Sequence, residues 1–269
     1  MSEINLNSIL AQSNIRFLRN LPPFAVKIIK RIIYLDLINQ ELEKHTNCKG
    51  SDFHNGILND LRIKVEYKNI ENLPDSSRCF FVANHPFGIL DGLMLTKMLL
   101  EKYGNCKAIG NDAFNYIPQL KPYVLSKSND HQKHKEFALE MESIFASDIA
   151  ISHFPAGYVS RNYKGKIQDI PWKKTFITKA ITHKRDIVPM YFKGRNSRIF
   201  YTVNILRRLF GIKMNIELAL LPHELFNKKN KKFSLIIGKA VSYTTLDKSK
   251  SHQEWAEELR KKVYALTDR

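Results

Sequence analysis

The residues best suited to catalysis are His85 and Asp91, because a histidine held by a carboxylate can act as a general base. His85 closely follows an apolar run at residues 80–83, and Asp91 precedes a second apolar run that begins at Leu93. The pattern predicts a buried strand, a tight turn and a helix that opens near Asp91. Taken alone, these residues leave a structural role open, since aspartate is also a preferred helix N-cap.

Residues 84–92, Asn-His-Pro-Phe-Gly-Ile-Leu-Asp-Gly, resemble the first motif of the glycerolipid (1-acylglycerol-3-phosphate type) acyltransferase superfamily. The usual motif has four residues between histidine and aspartate, and here there are five. This form is similar to a bacterial branch described as hemolysin-like or ornithine- and glycine-lipid O-acyltransferases. Gly88 can accommodate the extra residue in a bulged conformation. The resemblance implies catalytic roles for His85 and Asp91, and substrate-binding roles for Asn84 and Gly88.

Residues 154–161, Phe-Pro-Ala-Gly-Tyr-Val-Ser-Arg, resemble the third motif of the same superfamily, which usually reads Phe-Pro-Glu-Gly-Thr-Arg-Ser. Ala156 stands at the position of the glutamate, so the role of that glutamate does not transfer to this chain. The resemblance implies that Gly157, Ser160 and Arg161 bind substrate. The structural alternative is a glycine turn beside a solvated arginine.

We expect the anionic group of a lipid acceptor to need a cation near the base, because its desolvation would otherwise go uncompensated. Arg161 is the first candidate, since a guanidinium can hold two oxygens at once. Lys173 and Arg195 are further candidates, because each lies near the start of the next predicted helical stretch.

The charge of the chain points to anionic partners. Lys and Arg number 43 against 26 Asp and Glu, which gives a formal net charge of +17. Such a charge suits anionic lipid, a phosphorylated substrate or nucleic acid. The sequence has no helix-turn-helix, zinc-finger or RNA-recognition signature, so we expect no nucleic-acid partner. Three widely spaced cysteines without a CxxC pair predict neither a disulfide framework nor a zinc site, and fit a reducing compartment.

Predicted strands alternate with predicted helices, which indicates an α/β fold with a mixed, largely parallel sheet flanked by helices. The predicted strands cover residues 63–67, 80–83, 107–110, 123–125, 148–154, 186–192, 215–221 and 233–237. The predicted helices cover residues 4–18, 24–43, 51–61, 91–103, 136–145, 172–183, 196–210 and 251–266. Pro189 suggests an edge or bulge position within its strand.

The domain prediction is an N-terminal helical, membrane-associating segment at residues 1–60 and an α/β acyltransferase domain at residues 61–269. The helix predicted at 24–43 is amphipathic, with Lys27, Lys30 and Arg31 off its apolar stripe. It could lie on a membrane or pack on the domain. We find no signal peptide and no apolar stretch of spanning length. We therefore expect a peripheral protein at the cytoplasmic face of the inner membrane.

The resemblance implies transfer of a fatty acyl group from an acyl thioester, carried by acyl carrier protein or CoA, to the hydroxyl of a lyso-lipid. The expected partners are anionic membrane lipids and the carrier thioester, which serves as co-substrate without a further cofactor or metal. An N-acyltransferase acting on an amino-acid head group would use the same His85. A non-catalytic basic protein that binds membrane surfaces or nucleic acid is the alternative from another class.

Overall fold

The computed structural model describes residues 3–11, 19–110, 114, 117–125, 133–163 and 165–268, which form an α/β fold. The α-helices are α1 (Leu6–Ala11), α2 (Pro23–Ile32), α3 (Leu35–Lys44), α4 (Gly50–Asp60), α5 (Ile89–Tyr103), α6 (Lys133–Ala146), α7 (Thr175–Thr182), α8 (Arg198–Leu209), α9 (Leu221–Phe226) and α10 (His252–Tyr264). The strands are β1 (Lys64–Lys68), β2 (Cys79–Ala83), β3 (Cys106–Ile109), β4 (Val124–Leu125), β5 (Ala150–His153), β6 (Arg161–Tyr163), β7 (Lys166–Gln168), β8 (Asp186–Lys193) and β9 (Lys232–Ile237).

Seven strands form one sheet in the order β1-β9-β8-β2-β5-β3-β4. Strand β9 is antiparallel to β8, and every other neighbouring pair is parallel. The predicted mixed, largely parallel sheet flanked by helices is therefore confirmed. Strands β2, β5 and β8 are adjacent and parallel, so the segments that follow them meet at one edge of the sheet.

Strand β2 lies at the centre of the core because all five of its residues are buried. Phe81 and Ala83 pack in one apolar cluster with α5, and Phe80 and Val82 pack in a second cluster with α7 and α10. A strand that is covered on both faces has a continuous apolar sequence, which is why this strand could be predicted.

Pro189 lies in an interior strand, at a point where the pairing of β8 is irregular. Met190 pairs with Ile237, whereas Ile187 bridges Val241. The two pairs are three residues apart on β8 but four residues apart on the opposing segment 237–241, so that segment has one extra residue, which is a β-bulge. Proline lacks an amide hydrogen, and it is tolerated here because the ladder is already interrupted.

The helix predicted at residues 24–43 is two helices, α2 and α3, and the prediction of one continuous helix is wrong. Tyr34, between them, has a left-handed backbone conformation with φ of 54°. Its ring stacks on Phe226 with centroids 5.8 Å apart. This tertiary contact to α9 outweighs a periodicity that would otherwise continue the helix.

Two further predictions need correction. Residues 215–221 contain a 3₁₀ turn, Ile216–Leu220, instead of a strand. The alternation of Ile216, Leu218 and Leu220 resembled a strand, but Glu217 is fully buried between them. Residues 155–171, for which neither a strand nor a helix was predicted, contain the antiparallel hairpin β6–β7.

The N-terminal segment divides into parts with different burial. Helix α2 has no buried residue, and Phe24 and Ile28 on it are 68% and 54% exposed. Helix α4 instead places Phe53 and Ile57 in the same core cluster as β2 and α5. None of the helices that the structure describes is long and apolar enough to cross a bilayer. The predicted helix at 4–18 is seen as α1, and residues 12–18 lie outside the described residues.

Candidate active site

His85 lies just beyond β2, at the edge where β2, β5 and β8 end. Its ring stacks on that of Phe154, which follows β5, with centroids 3.9 Å apart and planes 20° apart. The His85 side chain is 18% exposed, so it is held by the protein and still reaches solvent. The packing of one strand end against the next therefore fixes the plane of the imidazole.

Asp91 lies in the first turn of α5 and is fully buried. Its Oδ2 is 2.9 Å from His85 Nδ1 and also accepts hydrogen bonds from the backbone N–H groups of Phe87 (2.8 Å) and Gly88 (2.9 Å). A carboxylate only accepts hydrogen bonds, so Nδ1 of neutral His85 carries the proton and Nε2 is left as the acceptor. Asp91 also lies at the N-terminal end of α5, where the helix dipole is positive.

Gly88 explains how five residues fit between His85 and Asp91. It precedes α5 with φ of 85° and ψ of −108°, a conformation that other residues rarely adopt. A Cβ on Gly88 would lie 2.7 Å from Leu221 Cδ2 and 3.3 Å from Val159 Cγ2. Gly88 thus acts through the backbone, and its lack of a side chain lets the loop turn back so that Asp91 meets His85.

Asp169 is a residue of this site that the sequence analysis missed. It is fully buried below the His85 loop. Its Oδ1 accepts from the His85 backbone N–H (3.2 Å) and from Ser160 Oγ (2.6 Å), and its Oδ2 accepts from Trp172 Nε1 (2.9 Å). Burial raises the pKa of Asp169, and the bonds from Ser160 and Trp172 counteract part of that effect. A lone aspartate in a polar loop carries no signal that could have identified it.

Ser160 belongs to the same junction. Its backbone N–H donates to the carbonyl of His85 at 2.7 Å, in addition to the bond from its hydroxyl to Asp169. The structure thus brings the two recognised motifs together. The hydroxyl of Ser160 supports the His85 loop from within the protein, which does not support the predicted contact to substrate.

Asn84 and Arg161 are also engaged within the protein. The Asn84 side chain accepts from the Phe192 backbone N–H at 2.7 Å and donates to the Phe192 carbonyl at 3.0 Å, which ties β2 to β8. The Arg161 guanidinium is bonded to buried Glu217 at 3.0 Å and to the Val159 carbonyl at 2.6 Å. Both side chains thus make contacts within the protein, and their substrate-binding roles stay predictions.

The remaining predicted residues, Gly157, Lys173 and Arg195, are exposed. Gly157 has φ of 71° in the turn after β5, and a Cβ there would lie 3.1 Å from Lys173 Nζ. The Lys173 ammonium lies over the ring of Tyr158, 5.8 Å from its centroid. Arg195 follows β8, at the same sheet edge as His85. These two cations remain candidates for an anionic group.

An apolar cavity of about 310 Å³ lies on the α5 side of the sheet. It is lined by side chains of α3, α4, α5 and α9 and of the 3₁₀ turn at 216–220, including Ile89 and Leu93 of the helix that carries Asp91. Ala219 of the 3₁₀ turn also lines it and is exposed, so this turn lies between the cavity and the protein surface. Such a cavity suits an alkyl chain.

His153 ends β5, next to Phe154, and lines a second cavity of about 510 Å³ between α6 and α7. Its Nδ1 is buried without a hydrogen-bond partner among the described residues. Burial, with a smaller contribution from the charge of Lys173, lowers the pKa of His153 from 6.5 to about 4. A neutral His153 is therefore part of the folded state.

We expect His153 to make the protein sensitive to acid. The pKa of His153 in the folded state lies below the unfolded value of 6.5. The contribution of neutral His153 to the free energy of unfolding is therefore complete above pH 6.5 and is lost as the pH falls towards 4. The loss is up to about 3 kcal/mol in the free energy of unfolding. Urea titrations of wild type and His153→Gln across this range measure it. The difference between the two should change with pH, and parallel curves would contradict the assignment.

The site thus combines a strand-end histidine bonded to a buried carboxylate with an apolar cavity along the helix that carries this carboxylate. The sequence profile of the family described as Acyltransferase matches residues 8–269. The chain belongs to this family, and it is an acyltransferase enzyme.

Two relatives extend over nearly the whole chain. The chain is 38% identical over 264 residues to the lyso-glycine lipid O-acyltransferase of Phocaeicola vulgatus, covering 98% of this chain and 95% of that protein. It is also 38% identical over 264 residues to the lyso-glycine lipid O-acyltransferase of Bacteroides thetaiotaomicron, covering 98% and 97%.

A solved structure is similar in fold. The 1-acyl-sn-glycerophosphate acyltransferase PlsC from Thermotoga maritima aligns with a TM-score of 0.50 and 14% sequence identity, over 90% of this chain and 96% of that one. The mixed sheet with flanking helices, predicted from the alternation of strands and helices, is therefore shared with this acyltransferase.

Proposed function

We propose that this acyltransferase moves a fatty acyl group from an acyl thioester to the hydroxyl of a lyso-lipid, with His85 as general base. The contact of His85 Nδ1 with Asp91 Oδ2, at 2.9 Å, is the observation that carries the proposal. It orients the ring and leaves Nε2 to accept a proton. The two O-acyltransferase relatives support O-acylation over the N-acylation alternative.

In the proposed reaction the acceptor hydroxyl gives its proton to His85 Nε2 as its oxygen attacks the thioester carbonyl. Asp91 stabilises the imidazolium that forms. The carbon–sulfur bond then breaks, and the leaving thiolate takes the proton from His85, which restores the neutral ring. No residue is acylated, since the acceptor is itself the nucleophile and the thioester supplies a good leaving group. Positioning of the two substrates is the remaining contribution of the protein.

The substrates can be assigned to parts of the site. The apolar cavity at α5 suits a fatty chain, and the carrier is either acyl carrier protein or CoA. A lyso-glycine lipid, the acceptor named for the relatives, carries a carboxylate. We propose that Lys173 and Arg195 bind this group, because Arg161 is occupied by Glu217. The exposed apolar face of α2 and the charge of +17 support peripheral attachment to anionic membranes at the cytoplasmic face.

The test is incubation of the purified protein with acyl carrier protein or CoA thioesters and three acceptors: lyso-glycine lipid, lysophosphatidic acid and a free glycine head group. Mass spectrometry identifies the products, and mild alkali separates esters from amides. We expect an ester of lyso-glycine lipid. An amide product would support the N-acyltransferase alternative, and absence of transfer from both donors to all acceptors would refute the proposal.

A further inference from the structure

The end of α8 and the loop after it expose an unusual amount of apolar surface. Leu209 and Phe210 are 75% and 77% exposed, the two highest values among the large exposed apolar side chains that the structure describes. With three further exposed neighbours they form a surface that we call the apolar tip. Its members are Leu206, Leu209, Phe210, Ile212 and Met214. A contiguous apolar surface of this kind marks an interaction site.

The apolar tip is held in place by the fold. Gly211 ends the helix with φ of 66°, and the Ile212 N–H donates to the Arg207 carbonyl at 2.9 Å. The Arg207 side chain donates to the carbonyls of Ile212 (2.9 Å) and Lys213 (3.3 Å), and its Nε lies 2.8 Å from buried Glu217. The exposed side chains are thus presented by an ordered turn that is anchored to the protein interior.

The charges around the apolar tip indicate what it meets. Residues 187–216 contain six Lys or Arg and no Asp or Glu. Arg208 and Lys213, within this stretch, are exposed beside the tip. Apolar side chains surrounded by cations suit a bilayer that offers hydrocarbon below anionic headgroups.

The position of the apolar tip relates it to the α5 cavity. The 3₁₀ turn at 216–220, which lines that cavity, packs against α8. On the other side, Tyr34 joins α2 to α9 through its stacking on Phe226, and α9 directly follows the same turn. The exposed face of α2 and the apolar tip therefore lie near the same segment, the 3₁₀ turn and α9, which lines the cavity.

We propose that the apolar tip enters the bilayer and, together with α2, holds the cavity-lining 3₁₀ turn against the membrane. An alkyl chain could then pass between lipid and cavity without crossing water. The inference that the cavity holds an alkyl chain rests on the proposed function, whereas insertion of the tip does not.

Insertion is tested with a tryptophan at the tip and a matched tryptophan elsewhere. Leu139 on α6 is 62% exposed and supplies the control position. Phe210→Trp and Leu139→Trp are mixed with phosphatidylcholine and phosphatidylglycerol vesicles that carry brominated acyl chains. We expect quenching beyond that of the native tryptophans for Phe210→Trp and none for Leu139→Trp. An unquenched Phe210→Trp would overturn the proposal.

Vesicle sedimentation supplies a second measurement. We expect Leu209→Asp with Phe210→Asp to weaken vesicle binding about tenfold or more, and Leu139→Asp to leave it unchanged. Far-ultraviolet circular dichroism checks that each variant is folded. Unchanged vesicle binding of the double variant would contradict insertion. A wild-type dimer without lipid, converted to monomers in the double variant, would also contradict it and would assign the apolar tip to contact with a second copy of the chain. Neither readout depends on acyl transfer, so failure of the enzymatic assay alone would refute only the proposed function.

Discussion

Replacing His85 with alanine is expected to slow acyl transfer about 100-fold or more while the fold is retained. His85 is the group that Asp91 orients through its Nδ1, and no other base among the described residues shares that contact. The Phe154 ring that stacks on it would lose one neighbour at a partly exposed position, so we expect a small effect on stability. Turnover of lyso-lipid under saturating thioester, with thermal unfolding of the same preparation, measures both effects.

His153→Ala is the matched control for this experiment. His153 ends the strand adjacent to β2 and lines the other cavity. We expect its removal to leave turnover near the wild-type value. Near-normal turnover of a clean His85→Ala preparation would instead eliminate the proposed mechanism.

Asp91→Asn is expected to reduce turnover less than His85→Ala, by about 10- to 100-fold. An amide nitrogen facing His85 would hold the wrong tautomer and cost about 10⁴-fold. Here two backbone N–H groups, those of Phe87 and Gly88, also donate to Oδ2. These N–H groups favour an oxygen at that position, so the side-chain oxygen of the introduced asparagine should face His85 Nδ1 and keep the tautomer of His85. The substitution then removes only the negative charge that stabilises the imidazolium.

Asp91→Ala separates the two roles of this residue. It leaves both N–H groups without their acceptor, so we expect turnover as low as that of His85→Ala and a loss of about 1–3 kcal/mol in the free energy of unfolding. Asp36→Asn is the control, since Asp36 also lies in the first turn of a helix but is exposed. Equal turnover of Asp91→Asn and wild type would reduce Asp91 to a structural cap.

The sequence predicted those parts of the site that are local in the chain. His85 and Asp91 are six residues apart, and the strand–turn–helix pattern brings them together without help from distant residues. The roles of Asn84 and Arg161 depended on partners that no local pattern shows. Asn84 binds a backbone 108 residues away, and Arg161 binds a glutamate 56 residues away.

The difference between local and long-range contacts also explains which parts of the fold were predicted. Strands β2 and β8 and helix α5 were predicted correctly because most of their residues are buried, which leaves an apolar pattern in the sequence. The break at Tyr34 and the 3₁₀ turn around Glu217 were missed, since each is set by a contact between separated segments. The support of the His85 loop by Asp169 was missed for the same reason, because its hydrogen-bond partners come from four places in the chain.

The position of β9 between β1 and β8 has a consequence for biosynthesis. Lys64 of β1 pairs with Lys232 of β9, so the first strand of the sheet leaves the ribosome about 10–30 s before its partner. Tyr264 and Arg260, which contact the backbone of Asp169, follow later still. A nascent chain therefore cannot complete the sheet until β9 has been synthesised, or the support beneath His85 until α10 has been synthesised. The unpaired β1 is the segment most in need of protection until β9 is available.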